Sequence, residues 1–418
     1  MRRSILAFVV ISLVATSAFA QSMFRIDHIE VRNAHRVSPK LIAAETMLRE
    51  GGSYSEDDLR VAVARAGRLP LLLRADYTIE NGVLVISVTE MKPLSFLLDA
   101  RGIELSRNRI QTVIDSSGHV SERIGRTSKF DYDFTDPTLA WKDAAAGARW
   151  ITDGSGFAHF AMTVYRTRHT FDTNYSAYEL GYTRYGLFGT RLFATAIVRS
   201  PVDSLAEHTF TPAAAIGLPL SSRQTLSLDY TNTLFRHGQF HVAGSTFRLL
   251  HEERQLTLAW TYDTTNQPYA PSRGTLIRIA PMRWMRDDAG FTSQRTGFVA
   301  ASSHNNANGI DFVALHHWEL SPISSVSAGV LGGWSSLESS TPALRQHPSY
   351  QILQGGYSRA LGASRVELVA RLVNTQRDVP NARAGSGNED DTTGELGVNW
   401  IRRSTWGTFR LGVVYSRD

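Results

Sequence analysis

Through most of the chain apolar and polar residues alternate one by one, the period at which a strand turns one face to an apolar medium and the other to water. Between Gln255 and Thr264, Leu256, Leu258, Trp260 and Tyr262 share one face, while Thr257, Ala259, Thr261 and Asp263 share the other. The same division recurs at Leu226, Leu228 and Tyr230 against Thr225, Ser227 and Asp229, and at Phe409, Leu411, Val413 and Tyr415 against Thr408, Arg410 and Gly412. Val366, Leu368, Ala370 and Leu372 likewise oppose Arg365, Glu367 and Arg371. From Phe157 on, about fourteen such segments run between breaks of Gly, Asn, Asp and Pro; Arg109 to Ile114 and Lys129 to Phe134 add a pair, so the pattern predicts about sixteen strands. Soluble sandwiches alternate too. Charged residues on one face of many long strands favour a closed antiparallel cylinder with lipid outside and water within. Tyr182, Tyr185, Phe188, Trp284 and Trp318, toward strand ends, fit the aromatic girdles of such a barrel.

Before Pro93 the periodicity differs. Phe24 to Asn33 reads as a strand, with Phe24 and Ile26 on one face and Ile29 and Val31 resuming the pattern. Ser38 and Pro39 open a helix carrying Leu41, Ala44 and Leu48 on one side, and Gly51-Gly52 is expected to end it. Ser55 opens a second helix with Asp58 as its capping-box partner; Leu59, Val63 and Ala66 form the apolar side, and Gly67 and Pro70 stop it. Leu71 to Glu80 and Val83 to Glu90 form a hairpin around Asn81-Gly82, a dipeptide that tolerates the positive φ of a tight turn.

Composition narrows the chemistry. The 418 residues are 42% hydrophobic and 20% charged, as expected of an ordered protein, and contain no cysteine. Disulfides, zinc–thiolate sites, iron–sulfur clusters and thiol nucleophiles are thereby excluded. A net charge of +5 is no nucleic-acid footprint. The start, Met1-Arg2-Arg3 followed by an apolar stretch from Ser4 to Val14 and by Ala18-Phe19-Ala20, predicts a signal peptide over residues 1–20 and export into a Gram-negative envelope. No Gly-x-Ser-x-Gly elbow, phosphate-binding glycine loop or His-Glu-x-x-His occurs, so no enzyme activity, cofactor or metal is expected. His316 and His317, adjacent on a strand, face opposite sides and do not chelate together.

The order strand, helix, helix, strand, strand over residues 22–91, with Gly51-Gly52-Ser53-Tyr54-Ser55 between the helices and Glu90 closing the last strand, resembles a POTRA domain. That resemblance implies an exposed sheet edge to which extended polypeptide adds as a further strand, here along Leu71, Leu73, Ala75, Tyr77 and Ile79. Downstream, Asp263, Asn266, Pro268, Pro271 and Gly274 are similar to a turn motif of the bacterial surface antigen superfamily, whose barrels follow POTRA domains. Leu353-Gln354-Gly355-Gly356-Tyr357 is similar to that family's lumen-folded extracellular loop, with Gly355, Gly356 and Tyr357 as a degenerate tip, because Gly355 stands where the family has arginine. The stretch from Leu337 to Ala363 is accordingly expected as a loop inside the barrel. The chain stops at Tyr415-Ser416-Arg417-Asp418 where many such barrels end on an aromatic residue, which leaves open an atypical closing strand or a missing last strand, the latter giving a weak seam. Patatin-like outer membrane proteins share the POTRA–barrel arrangement.

The resemblance implies an α+β POTRA domain followed by an outer-membrane barrel over residues 92–418, which inserts polypeptide into the outer membrane or moves it across. The alternative is a passive channel or structural barrel that has lost this role. Expected partners are outer-membrane lipid and lipopolysaccharide together with an unfolded client or secreted protein; nucleic acid is not expected, and the barrel is expected to be monomeric.

Overall fold

The computed structural model describes residues 22–104, 108–114, 120–126, 143–166, 174–202, 206–237, 240–242, 245–268, 270–294, 297–335, 349–381 and 385–417. The signal peptide expected at 1–20 and the strand expected at Lys129 to Phe134 lie outside them.

The first strand signal is broken in two, β1 (Met23–Ile26) and β2 (His28–Arg32), because Asp27 turns its amide onto the Gly82 carbonyl. Helix α1 (Pro39–Glu45) is shorter than its apolar pattern: the Thr46 hydroxyl takes the Ala43 carbonyl and Met47 enters the left-handed region, so the helix ends well before Gly51-Gly52. Strand β3 (Gly52–Ser55) pairs with β1. Helix α2 (Glu56–Gly67) starts at the expected capping box, where the Ser55 hydroxyl accepts from the Asp58 amide and the Asp58 carboxylate accepts from the Ser55 amide. Strands β4 (Leu72–Glu80) and β5 (Val83–Glu90) form the hairpin, Asn81 and Gly82 both taking positive φ. In the three-stranded sheet β5 is central, parallel to β2 and antiparallel to β4. A core of Ile26, Ile42, Leu59, Leu71, Leu84 and Ile86 fills the space between sheet and helices.

The remaining strands are β6 (Leu94–Glu104), β7 (Asn108–Ile114), β8 (Val120–Arg126), β9 (Asp143–Asp153), β10 (Gly156–Arg166), β11 (Asn174–Tyr185), β12 (Phe193–Val202), β13 (Ala206–Pro219) and β14 (Gln224–His237). Then follow β15 (Phe240–Val242), β16 (Ser245–Asp263), β17 (Gly274–Gln294), β18 (Gly297–Ser321), β19 (Ser324–Ser335), β20 (Ser349–Leu361), β21 (Ser364–Asn381), β22 (Gly385–Ser404) and β23 (Gly407–Arg417). Their sheet has sixteen members; β15 only flanks β16, and since β14 also pairs with β16 the other fifteen close into a ring. The even count expected from sequence does not hold. An up-and-down barrel with an odd number of strands must bring its first and last strands together in the same direction, and β23 pairs with β6 in parallel. Several expected segments fall differently. Among the described residues Arg109 to Ile114 belongs to β7, which pairs only with β8 outside the barrel; the segment expected near Gly244 yields only β15, which flanks β16; the segments expected near Val299 and Ala314 are one long strand, β18; and β6, β9 and β20, which the pattern does not predict as strands, join the ring.

The barrel faces follow the alternation. Leu228, Leu256, Leu258, Leu368, Leu372 and Leu411 are exposed on the outer surface, whereas Thr257, Asn399 and Thr408 on the opposite face are buried. Closed pairing leaves no edge in lipid, and the exposed face of the barrel strands carries large apolar side chains, so the fold is a transmembrane β-barrel of the outer-membrane type. Tyr182 and Trp318 lie outward as girdle residues. Tyr185 and Trp284 do not: Tyr185 joins the amino-terminal core and Trp284 packs inward on Met282 and Ala307.

Candidate functional site

The tight connections after β9, β11, β13, β16 and β22 gather at one end of the barrel, and the amino-terminal unit is seated there. Phe157, Tyr185 and Phe193 from this rim enter the same apolar core as Ile42 and Leu59. The Ser38 amide donates to the Gly154 carbonyl at 2.7 Å, Arg149 donates to the Pro70 carbonyl at 3.1 Å, and the Lys92 amide donates to the Thr405 carbonyl at 2.7 Å. In outer-membrane barrels the short turns face the periplasm.

The turn motif between β16 and β17 is knit by its own side chains. Asp263 Oδ1 accepts from the Thr265 amide at 2.8 Å and from the Thr265 hydroxyl at 2.7 Å. Asn266 spans the loop: its Nδ2 donates to Ser272 Oγ at 2.8 Å and its Oδ1 accepts the Ser272 amide at 3.0 Å. Pro268 and Pro271 lie within this bracket and restrict φ through it. Gly274 has φ +105°, and a Cβ there would stand 2.3 Å from the Thr264 carbonyl oxygen, so glycine is required.

The motif serves as a dock. Arg68, just past the end of α2, donates to the Thr265 carbonyl at 2.5 Å and to the Asp263 carbonyl at 3.2 Å, and its guanidinium lies 3.4 Å from the Asp263 carboxylate. Both side chains are about nine-tenths buried, at 9% and 10% exposure. Burial pulls the Arg68 pKa down, and Asp263 works against that pull. One turn earlier Arg65 pairs with Glu45 at 3.2 Å and donates to Thr225 Oγ1 at 3.0 Å. At the other end of α2, Arg223 of the β13–β14 turn donates to Asp57 at 3.0 Å and to Asp58 at 2.8 Å. Helix α2 thus lies along the rim with acids at its positive end and arginines at its negative end, the polarity its dipole favours. Sequence reasoning found the turn but missed Arg65, Arg68, Glu45 and Arg223. The one available signal was Glu45, a carboxylate on the side of α1 that carries Leu41 and Ile42.

Among the described residues strand β4 is an edge of its sheet, paired only with β5. The residues expected to meet a client turn the other way: Leu71 is fully buried and Ala75, Tyr77 and Ile79 pack on the core, while Leu73 is half-buried. Arg74, Asp76, Thr78 and Glu80 are the exposed set. Edge recognition runs through the backbone, so the strand keeps its role as a candidate while the side chains beside an added strand change.

Gly355, Gly356 and Tyr357 are not a loop tip. They lie inside β20, opposite Ala328, Ser327 and Val326 on one side and Ala370, Val369 and Leu368 on the other. Alternation explains it: Leu353, Tyr357 and Leu361 face outward, and Ile352 and Ser358 face inward. Residues 336–348, the rest of that expected loop, fall outside the described set. On the inner wall the arginines have partners. Arg365 donates to Ser358 Oγ at 2.7 Å and Ser325 Oγ at 3.3 Å; Arg371 donates to Gln354 at 2.8 Å and lies 4.0 Å from Glu395. His316 and His317 face opposite ways, His316 lying beside the outward Trp318 with the rings 4.4 Å apart and tilted by 56°.

No family model matches the chain, and no curated protein matches it. Among solved structures it is similar to BamA from Haemophilus ducreyi lacking POTRA domains 1-3, at 11% identity and a TM-score of 0.44, over 94% of this chain and 81% of that one. CdiB from Acinetobacter baumannii is similar at 10% identity and 0.41, over 91% and 68%. The ferric yersiniabactin uptake receptor FyuA from Yersinia pestis is similar at 9% identity and 0.38, over 81% and 56%.

Proposed function

We propose that this chain handles polypeptide at the outer membrane, inserting it into the bilayer or moving it across, with residues 22–91 acting as a POTRA-type domain at the periplasmic mouth of the barrel formed by residues 92–418. The observation that carries this reading is the unpaired edge of β4, held at the mouth by the clamp of α2 on the rim. An extended client adds to that edge through main-chain hydrogen bonds that do not depend on its sequence. The barrel then takes over the segment, and burial of the client's apolar face in lipid supplies the driving force. The order of elements, β2, α1, α2, β4 and β5, supports the POTRA assignment.

The test places a photo-crosslinking residue at Asp76 or Thr78 of the full chain and offers an unfolded outer-membrane barrel protein in liposomes. Adducts at these positions, together with faster client folding, are expected. Ion conductance with neither adducts nor faster folding would replace this reading with the passive channel.

A further inference from the structure

At the end that carries the amino-terminal unit, the outer wall bears cations with no acidic partner among the described residues. Arg359 on β20 is exposed and shares its outward parity with Tyr357 and Leu361, while its neighbour Ser358 points inward to Arg365. Arg402 on β22 is exposed on the same side as Trp400, Val398 and Leu396, while Ile401 is buried. Register puts Arg359 opposite Val366, and Arg402 opposite Ser364, on the single strand between them. With strands spaced about 4.8 Å, the two guanidinium-bearing strands stand roughly 10 Å apart. Beside them, at the seam, Lys92 stands over the Trp406 ring with its ammonium 5.5 Å from the centroid, and Trp406 itself is exposed.

Among the described residues neither Arg359 nor Arg402 has an ionic partner. The acids nearby, Glu319 and Glu367, lie on the inner face, and Glu319 pairs with Arg273 at 3.5 Å. The outward neighbours are instead apolar or aromatic: Leu94, Phe96, Ile323, Leu361 and Leu411. A cation fixed at the foot of a lipid-facing belt is costly unless an anion meets it, and the anion available at that depth is a lipid phosphate.

We propose that Arg359, Arg402 and Lys92, with Trp406 as an interfacial ring, form a cationic strip from β20 to the β23–β6 seam that holds the headgroup phosphates of anionic phospholipids in the periplasmic leaflet. The proposal rests on the transmembrane reading of the barrel, and its test separates the two.

Full-length protein is reconstituted in vesicles of phosphatidylcholine with phosphatidylglycerol, extracted into detergent, and the retained lipids are counted by native mass spectrometry. Heat-modifiable migration is recorded on the same samples. Wild type should retain phosphatidylglycerol in preference to phosphatidylcholine, by up to about fivefold per cation. Substituting Arg359→Gln, Arg402→Gln and Lys92→Gln together should abolish the preference, and the Arg359→Lys, Arg402→Lys double variant should keep it. Arg283→Gln, an exposed outward arginine nearer the far end, should leave it unchanged. Heat-modifiable wild type without a preference, or a preference that survives the triple substitution, would overturn the site alone. Failure of wild type to show any heat-modifiable form would overturn the barrel reading and the site with it.

Discussion

Arg68 at the end of α2 and Asp263 at the end of β16 meet 3.4 Å apart in a nearly water-free contact that joins the amino-terminal unit to the barrel. Removing one member leaves the other charged and buried, which costs about 3–5 kcal/mol, far more than an exposed pair is worth. Arg68→Ala and Asp263→Ala should each loosen the unit from the rim, seen as faster amide exchange along α2 and β4 with the barrel amides unchanged. Equal protection in variant and wild type would show that the apolar contacts of Phe157, Tyr185 and Phe193 hold the unit without the pair.

Gly274 and Gly355 make opposite predictions. A methyl group at Gly274 collides with the Thr264 carbonyl in a backbone conformation already unfavourable to side chains, so Gly274→Ala should lower the yield of heat-modifiable barrel. At Gly355 a Cβ meets nothing within 4 Å, because it points off the outer wall. Gly355→Ala should therefore be neutral or slightly stabilising, and a marked loss there would reinstate a packed loop tip in place of β20.

Much of this was legible beforehand, for identifiable reasons. The capping box at Ser55, the Asn81-Gly82 turn and the two faces of β14, β16, β21 and β23 depend on local sequence, and local sequence carried them. The turn from Asp263 to Gly274 was legible as a motif, but its partner Arg68 lies 195 positions away in sequence. Nothing local marks an arginine as interfacial. The loop expected at β20 came from the resemblance of Leu353 to Tyr357 to a family loop; the residues themselves continue a two-residue period there, and pairing on both sides makes them a strand.

The clamp also predicts an unusual acid response. Burial opposes ionisation of Asp57 and Asp58, but Arg60 and Arg223 outweigh it at Asp57, as Ser55 and Arg223 do at Asp58, leaving both below 3.8. Such groups contribute stability above their unfolded pKa and lose it as pH falls through the lowered folded value. Glu45 runs the other way: burial raises it above 4.5 although Arg65 pulls it down. Its contribution is fully present below its unfolded value and is lost as pH rises through the raised one. Docking should thus tighten from neutral toward mild acid and release below about pH 4. Spin labels on cysteines placed at Thr78 and Ile323 would report it, and a distance distribution that stays constant well below that pH would refute the electrostatic clamp.

Closure by an odd number of strands has a consequence that can be trapped covalently. In parallel register Phe409 of β23 lies opposite Leu98 of β6, with Thr408 opposite Leu97 and Arg410 opposite Asp99. Because successive side chains alternate, Phe409 and Leu98 point the same way, and cysteines there lie within disulfide reach. The chain has no native cysteine, so Leu98→Cys with Phe409→Cys yields one possible intramolecular bond. Oxidation should form it readily and shift the boiled, unreduced band. The seam spans fewer paired residues than β21–β22 or β17–β18, and parallel pairing is slightly weaker per residue, so the locked barrel should also lose its heat-modifiable form at a higher temperature than the reduced one. An added sixteenth strand between β23 and β6 would hold these positions two strand spacings apart, roughly 10 Å, and no disulfide would form.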